Sequence, residues 1–203
     1  MDDFEALLAG YRRFKLGRYR EEVALYRELA RGQQPRVMII SCSDSRVDPM
    51  TIFNARPGEL FIVRNVAALV PPCEPDGNYH GTSAALEFAV TGLEVSTILV
   101  LGHAQCGGIN ASLQGMYDTG GQPSFIRAWM SIAEPAREAV LRQSRSPSIE
   151  SAQPALEREA VRLSLRNLMT FPFVQERVER GSLSLRGAHF GIESGQLEVL
   201  DTD

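Results

Sequence analysis

The chain has 203 residues, 44 % of them hydrophobic and 23 % charged, the balance of an ordinary globular domain that buries a core without disulfides. Its 21 basic and 25 acidic side chains give a formal charge of −4, which argues against a protein that grips nucleic-acid phosphates. Collagen-like, coiled-coil, disordered and disulfide-scaffold chains are excluded on the same figures.

Met1-Asp2-Asp3-Phe4-Glu5 is acidic where a secretory signal or transit peptide would be basic. No apolar run approaches the ~20 residues of a membrane span, so a cytoplasmic chain with no membrane partner is expected. Three well-separated cysteines fit reduced thiols used for metal binding, catalysis or packing. From residue 4 to 31, apolar positions including Leu7, Leu8, Tyr11, Phe14, Tyr19, Val23 and Tyr26 recur at helical spacing. This predicts an amphipathic arm of two helices over residues 1–32, broken near Gly10 or Gly17, before an α/β core over 33–203; the two together are read as one domain.

Val37–Ser41 is a continuous apolar run after Pro35 and reads as a buried strand; Glu59–Arg64 and Ser96–Leu101 read as two more. Between them lie a short helix near Pro49–Ala55 and a longer one from Thr82 to Leu93, capped by Thr82 or Ser83. Strands alternating with helices predict an α/β fold, an open, mostly parallel, doubly wound sheet flanked by helices. Helical patterns follow at Ile109–Met116, Ser124–Arg142 and Ile149–Met169, with a short one after Pro172. Arg142–Gln153 reads as a surface loop, and Leu183–Phe190 with Gln196–Leu200 as C-terminal antiparallel strands around Gly195.

The chemistry-bearing residues gather at strand ends. Cys42 follows the first strand in Ser41-Cys42-Ser43-Asp44-Ser45-Arg46, and His103 follows the third in Gly102-His103-Ala104-Gln105-Cys106-Gly107-Gly108. Ligand sites of open parallel sheets lie beyond the carboxyl ends of the strands, so Cys42, His103 and Cys106 converge if those strands are neighbours. Two thiolates and one imidazole suit Zn²⁺, and three protein ligands leave the open position of a catalytic site. Each residue alone has a plainer use: a buried cysteine is commonly a packing residue, and most H-x-x-C matches bind nothing. Asp44 lies within reach of such a metal, and Arg46 can hold its carboxylate bidentately; the plain reading is a turn aspartate beside a surface arginine. Cys73, His80 and His189 read as structural, surface or hydrogen-bonded residues.

Cys42-Ser43-Asp44-Ser45-Arg46, Pro57–Ala67, Gly81–Phe88, Gly102–Gly108 and Asn167–Val174, in this order, resemble the β-class carbonic anhydrases. Leu69-Val70-Pro71-Pro72 and Thr170-Phe171-Pro172-Phe173 are most similar to the plant-like branch. The resemblance implies Cys42, His103 and Cys106 as ligands of one Zn²⁺ per chain and Asp44 with Arg46 as a catalytic dyad. It implies Gln33, Phe61, Val66 and Phe88 as walls of a small substrate pocket, some given by a second subunit, and Gly107 as the amide that meets a bound anion. Phe88 departs from the plant pattern, which has a tyrosine there. The implied reaction is reversible hydration of CO₂ to bicarbonate and a proton by zinc-bound hydroxide, in a homodimer or dimer-based oligomer. Hydrolysis of carbon disulfide or carbonyl sulfide, or a non-catalytic bicarbonate- or zinc-binding module, are the alternatives. Ile39 and Phe190 stand where an allosteric subgroup of the family has a tryptophan and a tyrosine beside the arginine matched by Arg64. A regulatory bicarbonate pocket is therefore not expected, and Asp44 is expected to pair with Arg46.

Overall fold

The computed structural model describes residues 2–74, 79–116, 124–143 and 148–201. The chain divides into two units, residues 1–34 and 35–203. The first holds α1 (Asp3–Leu16), α2 (Arg18–Glu21) and α3 (Val23–Leu29). A capping box starts α1: Asp2 Oδ1 accepts from Glu5 N at 2.7 Å, and Asp2 N donates to Glu5 Oε2 at 3.2 Å. Of the two predicted breaks, Gly17 is the one used, with φ −101° and ψ −105°, and Gly10 stays inside α1. A second break at Glu22 makes three helices where two were predicted. Phe14, Tyr19 and Tyr26 stack within the unit, with ring centroids 4.9–5.9 Å apart.

The second unit opens with β1 (Val37–Cys42), α4 (Pro49–Ile52) and β2 (Leu60–Asn65), followed by a 3₁₀ turn over Val66–Ala68. Then come α5 (Gly81–Glu87), a π turn over Phe88–Gly92, β3 (Thr97–His103) and α6 (Gly107–Leu113). α7 (Phe125–Met130), α8 (Glu134–Gln143), α9 (Ile149–Leu168), α10 (Pro172–Glu179), β4 (Ser184–Phe190) and β5 (Leu197–Leu200) complete it. The sheet order is β2-β1-β3-β4-β5; the first four strands are parallel and β5 runs antiparallel to β4. The open, mostly parallel sheet and its antiparallel C-terminal pair are therefore as expected.

Burial on both faces explains the unbroken apolar run of β1. Met38 and Ile40 enter the core shared with α5, α9 and α10, while Ile39 packs on the other face with Leu101, Ala188 and Phe190. Two glycines let α9 lie close on the sheet. A Cβ on Gly102 would come 2.6 Å from Val161 Cγ2, and one on Gly187 would come 2.9 Å from Leu165 Cδ1. Because β2 and β3 flank β1, the chain reverses direction across the sheet at β1, and the crevice opens at the carboxyl end of that strand.

Several boundaries differ from the sequence reading. α5 starts at Gly81, with His80 in the cap position and no side-chain capping bond. Thr82 is instead buried, its Oγ1 accepting from Asn65 Nδ2 at 3.3 Å. The predicted Ser124–Arg142 helix is broken by a 3₁₀ turn at Ser131–Ala133. Pro135 has no N–H to continue the ladder there, and Ser131 Oγ donates to Ala128 O at 2.8 Å. Ser148 caps α9 by accepting from Ser151 N at 3.2 Å, so the predicted Arg142–Gln153 loop is helical from Ile149; residues 144–147 lie outside the described ones.

Candidate metal centre

Cys42 is the last residue of β1 and His103 the last of β3, and the two strands pair directly, Ser41 lying opposite Leu101. Cys106 follows one tight turn later, immediately before α6. All three are buried, and their ligand atoms lie within 4.8 Å of one another. Their donor set tests the fit to a metal. His103 Nδ1 lies 2.9 Å from Ala104 O, a carbonyl that can only accept, so in the neutral ring the proton is on Nδ1 and Nε2 presents a lone pair. Nε2 is buried with no hydrogen-bond partner. A buried lone pair facing two thiols suits a soft cation, and an S₂N set fits Zn²⁺.

The electrostatics point the same way. The Cys42 thiol is pushed well below its ordinary range, first by the hydrogen bond with Cys106 and then, against the cost of burial, by His103 and the N–H groups of Asp44 and Ala67. Cys106 is pushed up by the same hydrogen bond and by burial. Burial alone would lower His103; the neighbouring Cys42 sulfur and the Ala104 carbonyl outweigh it and raise it. A dication held between the two cysteines would stabilise both sulfurs as thiolates.

Asp44 stands at the mouth of the cluster, its Oδ2 4.0 Å from His103 Nε2. Arg46 grips it bidentately, Nε to Oδ1 at 2.9 Å and Nη2 to Oδ2 at 2.7 Å, and the Arg46 N–H adds a bond to Oδ1 at 3.0 Å. These bonds hold the Asp44 carboxyl far below the usual carboxylate range, against the opposing effect of burial. Arg64, on β2, donates to Cys42 O at 2.9 Å and to Asp44 O at 2.6 Å. Its guanidinium is thus committed to the loop that carries both residues, while Ile39 and Phe190 pack together on the apolar face.

The remaining predicted site residues divide. Gly107 opens α6 with free space in front of its Cα, and Val66 packs beside Gly108, where an added Cβ would meet Val66 Cγ1 at 3.0 Å. Both adjoin the cluster. Phe61 and Phe88 pair with each other, ring centroids 5.9 Å apart. Phe61 lies opposite Met38, four residues before Cys42 on the neighbouring strand, which is roughly 13 Å at strand rise. Gln33 belongs to the first unit. Cys73 is half-buried, its N–H donating to Thr170 Oγ1 at 2.8 Å.

Sequence reasoning missed Glu157, whose Oε1 accepts from Cys106 N at 3.0 Å. His189 is buried, and its Nε2 donates to Glu157 Oε2 at 3.1 Å. The available signal was a carboxylate on the stripe Gln153, Glu157, Ala160, Val161, Ser164, Leu168, the inward face of an amphipathic helix.

A parallel α/β sheet with two thiols, one imidazole and a held carboxylate at its switch point could hold a metal in the open, three-ligand manner of a catalytic centre. The carbonic anhydrase family matches residues 37–197. Beta carbonic anhydrase 3 of Arabidopsis thaliana is 38 % identical over 204 residues, covering 100 % of this chain and 79 % of the plant protein. The structure of the β-carbonic anhydrase CcaA superposes with a TM-score of 0.89 at 32 % identity, over 98 % of this chain and 87 % of that one. One of two tetrameric β-carbonic anhydrases from Sordaria macrospora superposes at 0.82 and 26 % identity, over 97 % and 96 %. The chain belongs to the β-carbonic anhydrases. It is a zinc enzyme that catalyses the reversible hydration of CO₂ to bicarbonate and a proton.

Proposed function

We propose that Cys42, His103 and Cys106 are the zinc ligands of this reaction, with Asp44 and Arg46 as its catalytic dyad. The observation that carries the assignment is the lone pair of His103 Nε2, buried without a partner beside two buried thiols. Zn²⁺ held there supplies a Lewis acid that brings the pKa of water toward neutrality. Asp44, kept ionised by Arg46, can only accept a hydrogen bond, so it fixes the proton of the attacking water and turns a lone pair toward the substrate. Val66 supplies an apolar wall for CO₂, which offers no charge to grip, and the Gly107 N–H at the start of α6 meets the bicarbonate product. Gln33, Phe61 and Phe88 complete the pocket of a homodimer or a dimer-based oligomer.

Two observations support that assembly. The Phe61–Phe88 pair sits well back from the cluster of its own chain, and α1 buries no residue while exposing Phe4, Leu7, Leu8, Tyr11 and Leu16. Among the described residues no helix is long and apolar enough to cross a membrane. The test is zinc content and CO₂ hydration measured together across pH on the purified chain. One zinc per chain and hydration that rises with pH are expected. A chain that turns over carbon disulfide or carbonyl sulfide and leaves CO₂ untouched overturns the substrate.

A further inference from the structure

Glu157 lies midway along α9 and is only 4 % exposed. A carboxylate this deep is costly unless its oxygens are bonded, and these are. Oε1 accepts from Cys106 N at 3.0 Å and from Gln153 Nε2 at 3.0 Å, and Oε2 accepts from His189 Nε2 at 3.1 Å. The first of these bonds reaches a particular peptide. The C=O of Gln105 and the N–H of Cys106 are the two poles of one amide unit, and Arg46 Nη2 donates to that C=O at 3.1 Å. The unit is therefore held at both ends, from the crevice by the arginine that also grips Asp44, and from the core by Glu157.

The grip falls where the backbone needs one. Gln105 has φ +56°, a left-handed conformation that a residue with a side chain holds only when its surroundings fix it. Cys106 is attached directly to that residue, so rotation of the amide would carry its sulfur with it.

We infer that Glu157 is a positioning residue for the metal centre, clamping the Gln105–Cys106 peptide against Arg46 so that Cys106 Sγ stays in place to hold zinc. The inference rests on Cys106 being a ligand. It acts through the acceptor at Oε1 and needs no change in the charge of Glu157. In Glu157→Gln the amide oxygen still accepts from Cys106 N and Gln153, and its NH₂ is satisfied by the other tautomer of His189. In Glu157→Met the volume is kept and every acceptor is lost.

The experiment follows zinc release from the purified holoprotein to a chromogenic chelator in excess, with the thiolate-to-metal absorption of the Co²⁺-substituted protein as a second readout. Glu157→Met should release zinc about 10-fold faster or more, the scale of lost support behind a ligand, and shift the Co²⁺ band. Glu157→Gln should stay within about threefold of the parent on the same scale. Gly187→Ala, which crowds α9 against β4 away from this peptide, controls for general loosening. A Glu157→Met protein that releases zinc at the parent rate overturns the clamp. So does Glu157→Gln matching Glu157→Met, or Gly187→Ala of equal thermal stability releasing zinc as fast. His103→Ala in the same assay keeps the two readings apart: if it retains zinc, the ligand assignment falls, and if it loses zinc while Glu157→Met does not, only the clamp falls.

Discussion

A carboxylate next to a dication is ordinarily drawn onto the metal, and Asp44 is close enough for that. Arg46 opposes it by occupying both oxygens in the planar, bidentate geometry that guanidinium and carboxylate share. Asp44→Asn keeps the shape and removes the ionised acceptor. CO₂ hydration should fall by about 10² or more, the usual scale for losing a positioned proton acceptor, with zinc content unchanged. Stopped-flow hydration beside metal analysis checks this, and a near-normal rate removes Asp44 from the mechanism. His103→Ala should instead lose metal and activity together, because two thiols alone give an incomplete shell; wild-type zinc occupancy in that variant rejects the ligand assignment. Spacing along the chain makes Cys42, Asp44, Arg46, His103 and Cys106 legible in the sequence, since each sits within a few residues of a strand end. The inward placing of Glu157 is legible in the helical stripe, but its bond to Cys106 is not, because it spans 51 positions of sequence and only the packing of α9 brings the two together.

At the scale of elements, β1 and β3 are readable from their unbroken apolar runs, which both-sided burial enforces, and their ends fall within a residue or two of those runs. Helix ends are harder. Gly81 and Pro135 shift or split helices through backbone hydrogen bonding, which hydrophobic periodicity does not carry. The two glycines beneath α9 are a further case, visible only once the helix is laid on the sheet. Gly102→Ala should destabilise the protein by about 1–3 kcal/mol, the cost of overpacking a core in which Val161 is β-branched and hemmed in. Urea unfolding reads the change, and an unchanged midpoint means the helix has room to lift. Asp48 supports the metal-bearing loop through α4: its Oδ2 accepts from Thr51 N at 3.0 Å and from Thr51 Oγ1 at 2.7 Å. Thr51 first, and Arg64 with it, hold the Asp48 carboxyl below its ordinary value. A depressed carboxyl stabilises the fold fully above its unfolded pKa and loses that contribution as pH falls through the folded one. Asp48→Ala should therefore cost about 0.5–1 kcal/mol at pH 7, the lower part of the capping range for a partly exposed cap, and the gap between variant and parent should close below about pH 4. A gap that persists in acid shows that packing, and not the charged cap, carries the loss.

On the proposed reading one chain supplies the metal centre and a second copy completes the substrate pocket. Cys42, Asp44, Arg46, His103, Cys106, Val66 and Gly107 gather at the carboxyl ends of β1, β2 and β3, whereas Phe61 lies several residues back on β2 with Phe88 against it. An apolar substrate without charge depends on such walls, since no ion pair can hold it, so on that reading a second copy bears on catalysis as well as on stability. On the amphipathic arm the apolar positions Leu7 and Tyr11 are 70 % and 57 % exposed. Placing a charge on that face makes its burial against a second copy unfavourable, because an unpaired carboxylate in an interface core costs several kcal/mol. The Leu7→Asp, Tyr11→Asp double variant should sediment as smaller species than the parent at micromolar concentration, with the dissociation constant raised at least about 100-fold on that cost. It should keep one zinc per chain, since Cys42, His103 and Cys106 all belong to the second unit. Its CO₂ hydration should nevertheless drop with dissociation and recover as protein concentration rises. Sedimentation velocity and hydration assays over the same concentration series decide the matter: a dissociated variant with full activity per zinc means that each chain closes its own pocket, and an undissociated one means that the arm lies outside the interface.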